Sequence, residues 1–376
     1  MKFKLAIAAM GLCTPLLALS QPALSQSAHS KNGEAITTAQ EKEAAIEHKV
    51  PVWLAQFDVP SVGIAYIEDG QIAFVRHFGF QQWGYPANEE TLYNVASLTK
   101  PVTAEVVLRL ITEGKTSLET TLADYHVEQD VADDPRIAAL TPRLVMRHRT
   151  GFANWRYETG GVLQFSRDPD TETGYSGEGY EWMLKAVQAQ SGEDFETAAR
   201  RLVFDPIGMK FTSYTRSKYF PYRTAMPYKA GEAVYDMIRS DPSASDDLRT
   251  TTREYASFIL DVWEGDAVPT ELRKQQRTVL RYFTDKPACK GAQKADFCPA
   301  NEGWGLGWYI LGWSDKTIVA HSGGDHGEKA FAFYDPGVKR GAVILTNGAN
   351  GHEILNRLAG LLDGDERFDE YMRSPY

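Results

Sequence analysis

The apolar residues of this chain change period twice, from alternation to helical spacing and back, and that order limits the architectures open to it. Ser61 to Glu68 is rich in β-branched and aromatic residues, Asp69-Gly70 is a tight-turn dipeptide, and Gln71 to Phe80 resumes alternation. Together these predict a hairpin. Residues 98–113 then place Val102, Val106, Leu110 and Ile111 on one helical face, with Gly114 as the stop. Further helices are expected from Thr141-Pro142 toward His148, near Gly179–Gln190 and near Phe195–Phe204. Another should follow a cap at Thr252, with Tyr255, Phe258, Ile259 and Val262 inward. Ahead of the hairpin, Ile46, Val50, Trp53, Leu54 and Phe57 recur at helical spacing, and Pro51 predicts a kink or two short helices. Toward the C terminus, Trp304–Leu311, Thr317–His321, Lys329–Tyr334 and Gly341–Thr346 read as strands, and His352–Asp363 as an apolar-faced helix.

Strands at both ends with helices between them imply an α+β chain. One sheet is assembled from the two chain ends and flanked by helices, and a mostly helical subdomain lies across it. The expected boundaries are a single domain over 26–376, with its sheet part at about 35–96 and 303–376 and its helical subdomain at about 97–302.

Residues 1–25 stand apart. Lys2 and Lys4 precede an apolar run from Leu5 to Leu19, and both Ala18-Leu19-Ser20 and Ala23-Leu24-Ser25 fit a cleavage site. This reads as a secretory signal peptide, too short for a lasting membrane helix, and places the mature protein in the periplasm or outside the cell. Only Cys289 and Cys298 remain after cleavage, and in an exported chain the pair reads as a short-loop disulfide. Lys plus Arg number 40 against 50 Asp plus Glu, with no basic run, which excludes a phosphate backbone as partner and disfavours an anionic membrane surface.

Several catalytic signatures are missing: Gly-x-Ser-x-Gly, His-Glu-x-x-His and a full phosphate-binding loop. His321 and His326 are five apart among glycines, so neither a metal nor a cofactor is expected. Ser97-Leu98-Thr99-Lys100 is the one Ser-x-x-Lys in the chain, at the point where strand gives way to helix. Residues three apart share a helix face, which brings the Lys100 ammonium to the Ser97 hydroxyl. A helix start also offers unpaired N–H groups for an oxyanion. Taken alone, the motif reads first as a capping serine beside a solvated lysine.

It is accompanied by Tyr175-Ser176-Gly177 and, far downstream, by His321-Ser322-Gly323-Gly324. In this order the motifs resemble those of the serine β-lactamase and penicillin-binding-protein superfamily, nearest its class C β-lactamases and their esterase and D-peptidase relatives. Asn94-Val95-Ala96-Ser97, Leu144–Phe152, Phe204–Met209 and Trp304–Trp308 are similar to further segments of that family, over roughly residues 45 to 360. The resemblance implies a β-lactamase/transpeptidase-like fold with Ser97 as acylated nucleophile, Lys100 as proton acceptor or relay, and Tyr175 as phenolic proton shuttle. It implies an oxyanion hole from the N–H groups of Ser97 and Gly324, and substrate contacts from His321, Gly323 and Gly177. An unperturbed lysine has a pKa of ~10.4, so Lys100 needs desolvation or positive surroundings to act as a base. His148 is assigned to loop structure, Glu178 to solvation of a turn, and Asp325 and His326 to the rim.

Two departures bear on activity. Gly177 stands where lactamases and D-Ala peptidases carry Asn, and His321 where many carry Lys. The expected protein is therefore an exported serine hydrolase acting through an acyl-enzyme on a small ester, amide or D-amino-acid substrate. The alternatives are a true β-lactamase or D-Ala-D-Ala carboxypeptidase, or a non-catalytic ligand- or peptidoglycan-binding relative.

Overall fold

The computed structural model describes residues 37–291 and 294–375. The signal-peptide reading of residues 1–25 lies outside them. Helix α1 (Ala39–Phe57) opens with a capping box, in which the Glu41 N–H donates to Thr38 Oγ1 at 3.2 Å and the Thr38 N–H to Glu41 Oε2 at 3.0 Å. It runs through Pro51 as one helix, not two short ones. Pro51 lies on the exposed face, where water can serve the carbonyl that loses its N–H partner. Strands β1 (Ser61–Glu68) and β2 (Gln71–Gln82) form the expected hairpin, with both turn residues left-handed, Asp69 at φ 51° and Gly70 at φ 72°.

Two-residue strands β3 (Tyr85–Pro86) and β4 (Tyr93–Asn94) lead to α2 (Thr99–Thr112). The central region then holds α3 (Pro142–Met146), α4 (Gly177–Ser191), α5 (Phe195–Ala199), β5 (Tyr228–Lys229), β6 (Glu232–Ala233), β7 (Arg249–Thr250), α6 (Thr252–Glu264) and α7 (Thr270–Gln276). Thr251, not Thr252, caps α6, accepting the Glu254 N–H at 3.2 Å. The four apolar residues expected inward on α6 are all buried.

The segment expected as one strand over Trp304–Leu311 is instead two, β8 (Asn301–Trp304) and β9 (Tyr309–Gly312). Glycines make the break. A Cβ at Gly305 would lie 1.9 Å from Gln276 O and one at Gly307 2.4 Å from Ala104 Cβ, so the turn between them is pinned onto the helical region. Strands β10 (Thr317–Gly324), β11 (Lys329–Asp335) and β12 (Arg340–Thr346) follow, then α8 (His352–Asp363) and α9 (Glu366–Arg373).

The sheet is antiparallel throughout, in the order β3-β2-β1-β12-β11-β10-β9-β8, so β1 from the first part of the chain pairs with β12 from the last. Alternate residues serve opposite layers. Ile64, Tyr66, Ala342 and Ile344 face α1, α8 and α9, whereas Ala65, Ile67, Val343 and Leu345 face α2, α4 and α6. Because both faces are covered, the central strands read as continuous apolar runs. Cys289 and Cys298 are disulfide-bonded, with Cα atoms 5.5 Å apart, in the α1–α8–α9 layer. Among the described residues no helix is long and apolar enough to cross a membrane.

Candidate active site

Ser97 sits on a single 3₁₀ turn, Ala96–Leu98, between β4 and α2. Ala96 ahead of it is left-handed at φ 46°, a conformation held by Asn94, whose Oδ1 accepts the Ala96 N–H at 2.9 Å, and by Thr99, whose hydroxyl donates to Ala96 O at 2.6 Å. Tyr255 OH, on α6, donates to Leu98 O at 2.8 Å. From the other side β10 presses in: a Cβ on Gly323 would fall 2.1 Å from Val95 O and 3.2 Å from Leu98 N. The bare Cα of Gly323 thus lets the strand pass against the serine turn. Strand β9 pairs with β10 only over Thr317–Ala320, so His321–Gly324 is free on that side. Gly324 closes β10, paired with Lys329 on its β11 side.

Lys100 is fully buried, and its Nζ donates to Ser97 Oγ at 3.1 Å and to Ser245 O at 2.9 Å. Its ammonium lies 4.7 Å from the Tyr175 ring centre and 5.8 Å from that of Tyr180. Tyr175 in turn stacks on His148 at 4.2 Å, with Trp304 at 5.4 Å and His321 at 6.2 Å. The structure therefore brings Ser97, Lys100, Tyr175 and His321 to one place.

Both histidines are neutral. Burial, with the Lys100 charge adding to it, pushes His321 down to about 3 and holds His148 well below the ordinary histidine range. His321 Nδ1 donates to Ser322 O at 2.7 Å, which leaves its buried Nε2 as an acceptor without a hydrogen-bond partner among the described residues. His148 Nδ1 accepts the Ser176 N–H at 3.1 Å, which fixes the residue next to Tyr175. His148 is thus part of the Tyr175 seat as well as of its loop.

Asp246, Asp247 and Asp325 bring carboxylate oxygens within 4.8 Å of one another beside this group. Burial and then the Asp247 charge raise Asp246 to about 7, against the opposing charge of Lys100. Glu328 is also pushed up to about 7, by burial and Asp325. Asn94 bridges this set to the serine turn, with Nδ2 donating to Asp247 Oδ1 at 3.3 Å.

Two expectations change. Glu178 does not solvate a turn: it is buried and grips Arg156, with Nη2 2.7 Å from Oε2 and Nε 3.1 Å from Oε1. At Gly177 a Cβ would meet the six-membered ring of Trp155 at 2.9–3.1 Å, so the indole fills the space a side chain there would use. Trp155, Tyr180 and Trp304 were not singled out by sequence reasoning. Their ring contacts are made across the fold, and no local spacing announces them.

A model of the family described as beta-lactamase matches residues 43–363. The chain is 23% identical over 350 residues to penicillin-binding protein 4 of Amycolatopsis lactamdurans, covering 82% of this chain and 90% of that protein. It is 26% identical over 196 residues to esterase EstB of Burkholderia gladioli, covering 43% and 48%. The D-amino acid amidase of Ochrobactrum anthropi SV3 superposes with a TM-score of 0.69 at 18% identity, covering 86% of this chain and 99% of that one.

Proposed function

The chain belongs to the beta-lactamase family, and we propose that within it the protein is an exported serine hydrolase that forms an acyl-enzyme with small esters or amides. The observation that carries this reading is the 3.1 Å contact between Ser97 Oγ and the Nζ of a wholly buried Lys100 under the Tyr175 ring. In this scheme the Ser97 proton passes by way of Lys100 to Tyr175 as Oγ attacks the acyl carbon, and Tyr175 gives up a proton to the leaving group. The Ser97 and Gly324 N–H groups receive the oxyanion, and water then attacks the acyl-serine by the reverse proton path. The penicillin-binding, esterase and amidase names of the relatives agree with acyl transfer without selecting a substrate.

The charges favour substrates without a carboxylate next to the scissile bond. His321 is neutral where a cation would be needed to pair with one, and the Asp325 carboxylate adds repulsion. Gly177 offers no side-chain amide to an acylamido group, and leaving such a group unpaired costs about 1–3 kcal/mol, or about ten- to a hundred-fold in rate. Side-by-side kcat/KM values on p-nitrophenyl butyrate, nitrocefin and a D-amino-acid amide test this. The ester should lead by at least about tenfold. Nitrocefin turned over as fast as the ester would return the chain to the lactamases, and no turnover of any would favour a binding-only relative.

A further inference from the structure

Trp155 is placed with more care than a surface aromatic requires. The two residues that flank it are both tied to the first turn of α4. Asn154 accepts the Gly177 N–H through Oδ1 at 2.9 Å and through its carbonyl at 3.1 Å, and that carbonyl also accepts the Glu178 N–H at 3.1 Å. On the other side, Glu178 Oε1 accepts the Arg156 backbone N–H at 2.9 Å, and the same carboxylate holds the Arg156 guanidinium in a fork. The indole, fixed between them, lies over the bare Cα of Gly177 and remains half-exposed.

Its position relative to the reacting groups follows from the backbone. Ser176 is extended, at φ −144° and ψ 117°, so Tyr175 and Gly177 direct their Cβ bonds to the same side. On that side the Tyr175 ring meets the Lys100 ammonium, and on that side the Trp155 ring covers Gly177. An apolar plate therefore stands two residues from the proposed proton shuttle, where a polar side chain at 177 would otherwise stand.

We propose that Trp155, held by the Arg156–Glu178 fork and admitted by Gly177, is the wall of an acyl subsite that selects esters and amides with a flat or bulky apolar acyl group. This deepens the reading of the protein as a serine hydrolase and rests on it. A planar acyl group laid on an indole face gains both apolar burial and ring stacking. A two-carbon acyl group is too short to gain either. Trp155 thus acts on specificity, and Glu178 is a positioning residue that acts through Arg156 and Trp155.

The test is the rate of Ser97 acylation, read by intact mass, with p-nitrophenyl acetate and p-nitrophenyl phenylacetate on the full-length mature protein and its variants. Wild type should favour phenylacetate by about tenfold or more. Trp155→Ala should bring the ratio to within about threefold of unity, and Gly177→Ala, whose new Cβ pushes on the indole edge, should lower it less. Glu178→Gln, which keeps the shape but weakens the fork, should fall between, and Trp155→Phe should restore most of the preference. A ratio unchanged in Trp155→Ala, or raised by it, overturns the inference while leaving the hydrolase reading intact. Wild type that neither ester acylates overturns both.

Discussion

Replacing Gly323 by Ala adds one methyl group at the tightest crossing in the site. That Cβ would sit 2.1 Å from Val95 O, 3.1 Å from Val95 C and 3.2 Å from Leu98 N. All three atoms are backbone, so no side chain can swing away to make room. Val95 O also accepts the Leu98 N–H at 3.0 Å, so it belongs to the turn that carries Ser97. Reaching ordinary contact distance means separating β10 from that turn by about 1 Å. The two proposed oxyanion donors lie on opposite sides of this crossing, Ser97 on the turn and Gly324 on the strand, so they move apart together. A displacement of about 1 Å is expected to lower kcat/KM by about 10²-fold. Overpacking should cost about 1–3 kcal/mol of stability, which a protein of this size survives folded. The assay is kcat/KM on p-nitrophenyl butyrate alongside circular dichroism and thermal unfolding. A Gly323→Ala protein that unfolds near the wild-type temperature and keeps activity within threefold would refute the argument that this crossing sets the oxyanion geometry.

Lys100→Ala should lose about 10²–10⁴-fold in kcat/KM toward an activated ester, because proton transfer fails while the Ser97 hydroxyl stays; retention of most activity would remove Lys100 from that role. Asp246→Asn should become progressively more stable relative to wild type as pH rises from 5 to 8. The folded-state value of Asp246 is raised to about 7, so its favourable contribution is present below the ordinary carboxylate range and is lost as pH climbs through 7. The change is on the order of 1–3 kcal/mol, read as the pH dependence of the difference in unfolding free energy, and a flat difference would contradict it. Cys289→Ser with Cys298→Ser should lower stability by about 2–3 kcal/mol, and the unfolded, unreduced protein without residues 1–25 should titrate no free thiol; two titratable thiols would contradict the bridge.

Local order explains what was legible from sequence. The β1–β2 hairpin announced itself through alternation around Asp69-Gly70, α2 through one apolar face, and the Ser97–Lys100 contact through a three-residue spacing. Each of these is decided within one short stretch of chain. Helix α9 lies beyond the expected end of the last helix at Asp363, although Phe368, Tyr371 and Met372 already carry helical spacing. Its acids and arginines outnumber the apolar residues and mask them. The break between β8 and β9 depends on Gln276 and Ala104, which the strand residues do not reveal. Likewise, burial of Glu178 depends on Arg156, 22 residues away, and the seat of Tyr175 on His148 and Trp304 from other segments. The motifs were readable because they are short, whereas the environment around them is assembled through space.

If Ser97 is a nucleophile activated by its surroundings, it reacts covalently where an ordinary serine does not. The folded protein is treated with a fluorophosphonate and its intact mass measured beside that of Ser97→Ala, with peptide mapping of the adduct. One adduct per chain is expected, on Ser97, absent from folded Ser97→Ala and from unfolded wild type. No adduct on the folded protein, or an adduct that persists in Ser97→Ala, would contradict it.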